Sequence, residues 1–253
     1  MRIKLAIEYA GGGFSGWQKQ KTSRSVQETI EEAIEKVFDN KESIVLYGAG
    51  RTDTGVHAAG QIAHFDINDE ELCKFWSNNM SKLPIAINHY LRGCAVVILS
   101  SEIVCQDFHA RFSAKIRHYK YLIYNRRAKS VFYENRAWHI IKQLDDVKMN
   151  EAAQFLCGTH NLNSFRSASC NAKNPVKTIS NITVYRDHEF VIIEISAKSF
   201  LHNQVRIIAG TLVQIGNGER GVEYISFLLD SGDRTLAGPT APPYGLYLSR
   251  IEY

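Results

Sequence analysis

Little in this sequence points to a metal, a disulfide framework or a membrane. The five cysteines (Cys73, Cys94, Cys105, Cys157 and Cys170) are odd in number and scattered, and none forms a C-x-x-C pair. That argues against a zinc site or a set of disulfides. Most lie in apolar runs, where a cysteine acts as a small buried hydrophobe. No run approaches the ~18 apolar residues of a membrane span. Met1-Arg2-Ile3-Lys4-Leu5 opens no long apolar core followed by a cleavage site, so the expected compartment is the cytoplasm. A Walker loop, a G-x-S-x-G elbow and an H-E-x-x-H pair are all missing, as is any short repeat. Neither a metal nor a nucleotide cofactor is indicated.

The composition is that of an ordinary globular protein. The 253 residues are 45% hydrophobic and 22% charged, enough to bury one large core or two smaller ones. A formal charge of +4 and a pI near 8.7 permit an anionic partner such as RNA without demanding one.

The most distinctive stretch is Gly48-Ala49-Gly50-Arg51-Thr52-Asp53-Thr54-Gly55-Val56-His57-Ala58-Ala59-Gly60. It lies between two apolar runs that read as strands, Ile44-Val45-Leu46-Tyr47 and residues 61–67. Its glycines open backbone conformations that other residues avoid. Asp53 and Arg51 stand two residues apart on this loop. The stretch is either a catalytic platform presenting one acid and one guanidinium or a glycine-rich connection with solvated charges. His57 is read as fixing the loop through hydrogen bonds, ahead of a role as acid or base.

Around it the chain reads as two α+β halves. Residues 2–9 alternate as a half-buried strand. A loop with Phe14, Trp17, Lys19 and Gln20 follows; its aromatics either meet nucleic acid or fold back onto the core. Ser25-Val26-Gln27-Glu28 is a capping box, opening a helix with an apolar stripe through Val26, Ile30, Ile34 and Val37. A polar helix is expected over 69–80, a loop or short turn over 83–88 and a strand over 94–99. Strand 117–124 puts Tyr119, Tyr121 and Ile123 on one face. A helix over 145–157 should stop at Gly158 as a left-handed cap. Strands 177–185 and 190–197 form a hairpin. Helices over 201–215, ended by Gly216, and over 222–229 precede a last strand over 246–251. The expected fold class is α+β with largely antiparallel sheets, divided near 101–112 into residues 1–105, which carry the Asp53 loop, and 106–253.

Arg206 is the only formal charge between Leu201 and Asn217, in a helix apolar on nearly every side. A buried guanidinium needs a partner. That partner is either some nearby acid in a structural ion pair or Asp53 across a cleft between the halves, which would keep the aspartate ionised and aimed. Tyr119 is either sheet-face packing or a cleft residue able to stack on a base and exchange a proton. Arg111, in the dense run Asp107-Phe108-His109-Ala110-Arg111-Phe112, is a candidate for phosphate contact or for support of the Asp53 loop, and His109 is read as structural.

The motif over residues 48–58 resembles the active-site signature of the tRNA pseudouridine synthase A family, usually G-A-G-R-T-D-A-G-V-H-A. Matches continue in the family's order through Gly16-Trp17-Gln18, Ser25-Val26-Gln27, Phe108-His109-Ala110-Arg111-Phe112-Ser113-Ala114 and Tyr119-Lys120-Tyr121. Ser164-Phe165, Phe200-Leu201-His202 with Val205-Arg206, and Gly245-Leu246-Tyr247-Leu248 complete them. Thr54 stands for the usual alanine and Gln204 for a common methionine. The resemblance implies a pseudouridine synthase fold of two ferredoxin-like (RRM-like) halves forming a central cleft. It implies Asp53 as catalytic aspartate, with Arg51, Tyr119 and Arg206 beside it and Leu246 as an apolar wall. It further implies a homodimer that isomerises uridines 38, 39 and 40 of the tRNA anticodon stem-loop, without cofactor.

That chemistry suits the residues. The N1–C1′ bond breaks and a C5–C1′ bond forms, which needs no redox partner and no high-energy bond. The base must leave its stack, and Arg51 would fill the vacated space. Lys19, Arg24, Arg111, Arg117, Arg126 and Arg166 are candidate phosphate contacts, each alternatively a solvated surface charge. Two rivals stand beside this reading. A non-catalytic RNA-binding protein would need the basic face but not Asp53. A carboxylate glycosidase normally wants a second acid near the first, and the loop supplies none.

Overall fold

The alternation of Ile3, Leu5, Ile7 and Tyr9 makes the strand β1 (Arg2–Tyr9), with those four side chains buried and Arg2, Lys4 and Glu8 turned away from them. The computed structural model describes residues 1–41 and 43–253. Two compact units emerge: Met1–Lys115 together with Leu248–Tyr253, and Ile116–Tyr247. The last six residues thus belong with the first unit, although the sequence reading assigns them to the second half.

In the first unit β1 runs antiparallel to β3 (His57–Asp66) on one side and β4 (Val96–Val104) on the other. The helix α1 (Val26–Val37) starts where the capping box places it, with Ser25 Oγ accepting the Glu28 N–H at 3.2 Å. Its last turn delivers Phe38 against Phe65 of β3 and Trp76 of α2 (Glu70–Asn79), each with ring centroids 6.1 Å apart. The end of the chain, β10 (Leu246–Glu252), lies beside β3. Opposite the step from Ile7 to Tyr9, β3 advances three residues from Gln61 to Ala58, an irregularity close to the glycine motif.

Several expectations are corrected here. Residues 44–46 form no ladder. The N–H groups of Ile44 and Leu46 donate instead to Glu35 Oε1 (3.1 Å) and Glu31 Oε1 (2.9 Å) of α1. Only Tyr47–Gly48, β2, pairs with β3, and β3 itself begins at His57 rather than Gln61. Residues 83–90 are a helix, α3 (Leu83–Tyr90), not a turn; Pro84 sits in its first turn, where a missing N–H is tolerated. The Asn88 carboxamide then brackets Ile98 of β4, donating to its carbonyl and accepting its N–H, both at 2.8 Å.

The second unit has the strand order β5 (Ile116–Asn125), β9 (Phe190–Ala197), β8 (Val176–Asp187), β7 (Gly158–Asn161), antiparallel throughout, with short β6 (Trp138–Ile140) parallel to β5. The β8–β9 hairpin turns at His188-Glu189, His188 taking φ 51°. The helix α4 (Asp146–Gln154) ends earlier than expected. Phe155, Leu156 and Cys157 bond three residues back and tighten into a turn, so Gly158 (φ 106°) opens β7 instead of capping α4. The apolar helix α5 (Gln204–Gly216) begins three residues later than the pattern suggests. Asn203 is left-handed at φ 60°, and Gln204 Oε1 takes the Leu201 N–H at 2.8 Å. The helix α6 (Tyr224–Ser231) closes on Gly232. Both units are α+β with mostly antiparallel pairing.

Candidate active site

The loop bearing Asp53 is held from three directions within its own unit. From behind, Thr52 Oγ1 lies 2.7 Å from the Tyr9 hydroxyl in the core, one residue before the acid. At its flank the Thr52 carbonyl accepts the Trp17 N–H at 3.1 Å. At its base Gln61, fully buried, donates from Nε2 to the Gly50 carbonyl at 2.7 Å, and Ala49 donates to Ile62 at 2.7 Å. Within the loop the Val56 N–H closes a turn onto the Asp53 carbonyl at 3.1 Å, with Gly55 at φ 80°. Thr52 and Val56 are buried, Asp53 is half-buried and Arg51 is exposed.

The glycines of the neighbouring loop explain how the backbone comes so close. A Cβ on Gly11 would lie 2.1 Å from the Val56 carbonyl oxygen, and one on Gly16 (φ 96°) would lie 2.6 Å from that of Thr52. Only glycine fits either place. Gly11 also donates its N–H to His57 Nδ1 at 3.0 Å, and His57 is buried. His57 therefore anchors the loop, as its reading as a fixing residue expects. Phe14 and Trp17 fold back onto the core at 8% and 2% exposure, so they are not nucleic-acid contacts. Trp17 fills the space beside Gly48, whose Cβ would strike the indole at 2.5 Å.

In the second unit, Tyr119 lies on β5 opposite Ile195, 8% exposed, with its ring edge-on to Phe200 at 5.1 Å. Arg206 occupies the first turn of α5. Its Nε donates to the Ala241 carbonyl at 2.7 Å and its Nη1 to Asn203 Oδ1 at 2.8 Å, while the Ala241 N–H returns to the Arg206 carbonyl at 3.1 Å. The neighbouring Pro242 carbonyl accepts the Tyr121 hydroxyl at 2.8 Å. Burial pushes the Tyr121 phenol well above its ordinary range, against the opposing Arg206 charge, so it stays a neutral donor. Leu246 is buried next to Gly245, where any Cβ would meet the Tyr121 ring at 2.7 Å. Asn203 and the Ala241 carbonyl orient Arg206, and sequence reasoning passed over both. The one available signal was an asparagine three residues before the lone charge of this helix, a residue type that tolerates φ > 0.

The candidate RNA-binding side chains differ in their surroundings. Lys19 is exposed and near Glu31 (3.6 Å) and Glu28 (3.9 Å). Arg24 is exposed and donates to Thr29 Oγ1 at 3.1 Å. Arg111 is exposed with its guanidinium 5.8 Å from the Phe112 ring. Arg117 is buried and donates to the Lys198 carbonyl. Arg126 stacks over Tyr124 at 4.7 Å and pairs with Glu189. Arg166 donates to the Ala172 carbonyl at 3.3 Å. Among the described residues no group of three or more His, Cys, Asp or Glu side chains is placed to hold a metal. No helix among them is long and apolar enough to cross a membrane.

Residues 5–112 and 152–253 match the family described as tRNA pseudouridine synthase. The chain is 47% identical to tRNA pseudouridine synthase A of Wolbachia sp. subsp. Drosophila simulans (strain wRi), over the full length of both. It is 45% identical to the protein of that name in Neorickettsia sennetsu and 44% identical to that of Ehrlichia ruminantium (strain Welgevonden), again over the whole of each chain.

Proposed function

The chain belongs to the tRNA pseudouridine synthase family, and we propose that it isomerises uridine to pseudouridine at positions 38, 39 and 40 of the tRNA anticodon stem-loop. The observation that carries this reading is the Asp53 loop, whose backbone is held by Trp17 and Gln61 and whose Thr52 and His57 side chains bond Tyr9 and Gly11 on either side of the acid. A carboxylate on a rigid loop approaches a reacting atom without first losing conformational freedom.

In the reaction the N1–C1′ bond breaks, the uracil turns, C5 bonds to C1′, the C5 hydrogen leaves as a proton and N1 ends protonated. An ionised Asp53 enters by attack on C1′, by addition to C6, or by taking a sugar proton to leave a glycal. We assign Arg206 to hold Asp53 charged and oriented, which Arg206 suits because Ala241 and Asn203 already fix its direction. Tyr119 packs on the uracil and serves the C5 proton. Leu246 is the apolar wall, and Arg51, exposed at the loop crown, fills the stack the uridine leaves. In this reading the first half, which carries the acid, and the second half, with the last six residues counted to the first, are two ferredoxin-like halves that form a cleft. Lys19, Arg24 and Arg111 contact the RNA, Arg117 being buried against the Lys198 carbonyl, and two copies of the chain form the working dimer in the cytoplasm. Neither a metal nor another cofactor enters any step.

The test uses tRNA tritiated at uridine C5. Release of tritium by the wild type and none by Asp53→Asn supports the assignment. Retention of all tritium by both proteins, with tRNA bound, would leave a binding protein; free uracil with an abasic site would point to a glycosidase.

A further inference from the structure

An aromatic ladder runs out of the core beside the base of the Asp53 loop. Tyr47 and His64 face each other across the β2–β3 pair and stack at 5.1 Å, 22° from parallel. His64 meets His109 at 4.7 Å, and His109 meets Phe112 at 4.4 Å. The inner end is buried at His64, and the outer rings are open: Tyr47 is 47% exposed and Phe112 is 75% exposed.

The loop that presents Phe112 is tightly built. Ala110 is fully buried, donates its N–H to His64 Nδ1 at 3.2 Å and accepts the Tyr253 hydroxyl at 2.8 Å. The His109 N–H donates to Ser113 Oγ at 2.9 Å, the Ser113 N–H returns to the His109 carbonyl at 2.9 Å, and the Arg111 N–H donates to His109 Nδ1 at 3.1 Å. His109 is held below the ordinary imidazole range, by burial first and then by the Arg2 charge, so at neutral pH it packs as an uncharged ring. Phe112 is therefore displayed on a preorganised support, with the Arg111 guanidinium 5.8 Å from its centroid.

We propose that Phe112 stacks on a base of the bound tRNA other than the reacting uridine, with Arg111 on an adjacent phosphate. This rests on the synthase reading above and adds a residue that fixes how the RNA lies. A rigid aromatic face next to a guanidinium suits an unstacked base and its phosphate, and the chain's net charge of +4 favours a polyanion. Tyr47 and Asp53 are six residues apart, so the chain holds Tyr47 within about 22 Å of the acid, and Phe112 stands three ring contacts beyond Tyr47, a reach that a stem-loop spans.

The test compares tRNA affinity by fluorescence anisotropy for the wild type, Phe112→Ala and Phe112→Trp, with melting curves to verify folding. Phe112→Ala is expected to weaken binding by about 5-fold to 100-fold, in line with the loss of one stacked base. Phe112→Trp should retain affinity, and its new indole should be quenched on adding tRNA. Alanine affinity within twofold of the wild type, or an unquenched indole, overturns the proposal. Affinity lost together with a changed sedimentation coefficient of the free protein also overturns it, in favour of a contact between copies of the chain. Tritium release by the wild type is scored separately. A protein that binds tRNA through Phe112 but releases no tritium would keep the platform and sink the synthase chemistry.

Discussion

The hydroxyls of Tyr9 and Thr52 meet at 2.7 Å inside the core, joining the end of β1 to the residue before Asp53. The first strand of the sheet thereby sets the height of the candidate catalytic acid. Its neighbours act in the same sense, since Trp17 takes the Thr52 carbonyl and Gln61 takes that of Gly50.

Tyr9→Phe is expected to lower stability by about 1–2 kcal/mol, because the buried Thr52 hydroxyl loses this partner. It should lower kcat with KM nearly unchanged, since the acid is misplaced while RNA contacts persist. Urea unfolding and tritium-release kinetics check the two halves of this expectation, and a pure KM effect would contradict it.

Gly11→Ala and Gly12→Ala form a matched pair one residue apart. A methyl at Gly11 meets the Val56 carbonyl oxygen at 2.1 Å, whereas one at Gly12 meets nothing within 4 Å. The first should cost at least about 2 kcal/mol and depress activity through the displaced loop; the second should stay within about 0.5 kcal/mol. Equal melting temperatures for the two variants would refute the close approach.

Asn203→Ala removes the acceptor of the Arg206 Nη1 hydrogen bond and places alanine at φ 60°. Asn203→Gly removes the same acceptor without backbone strain. Both should reduce kcat to a similar extent, roughly tenfold for the loss of one charge-assisted bond, while only the alanine variant loses appreciable stability. Arg206→Lys should be more severe, because an ammonium does not reproduce the guanidinium fork. Steady-state kinetics with thermal melts separates these outcomes.

His64 shapes the acid side of the stability curve. Burial first, then the neighbouring His109 and the Arg2 charge, lower its pKa to about 4. Between the unfolded value of 6.5 and 4 the unfolded chain binds a proton that the native ring refuses. Stability therefore falls as pH drops through that window, by at most about 3 kcal/mol. Asp66 adds a second loss at lower pH. Its carboxylate accepts Arg2 Nε and Nη2, both at 2.8 Å, which holds its pKa below 3.8 and makes its contribution vanish as pH falls below that value. His64→Gln keeps an acceptor near the Ala110 N–H and removes the proton, so its urea midpoint should be flatter between pH 6.5 and 4. An unchanged slope would assign the effect elsewhere.

Much of the local structure was legible in the sequence because its causes are local. Alternation in residues 2–9 and 117–124, the capping box at Ser25 and the apolar run of α5 each depend on residues a few positions apart. The motif over residues 48–58 likewise carried its resemblance in one uninterrupted stretch. What the tertiary structure decided were the partners supplied by distant segments. Residues 44–46 have strand composition, yet α1 takes their N–H groups with Glu31 and Glu35. Phe14 and Trp17 sit in a polar glycine loop, yet both are buried, Trp17 in the space that Gly48 leaves for its indole. Ala241 orients Arg206 from 35 residues further along the chain. The final six residues leave the unit that precedes them to lie beside β3. A backbone N–H or a partly buried cation must be satisfied by whichever group the fold brings to it, and only the folded chain determines which group that is.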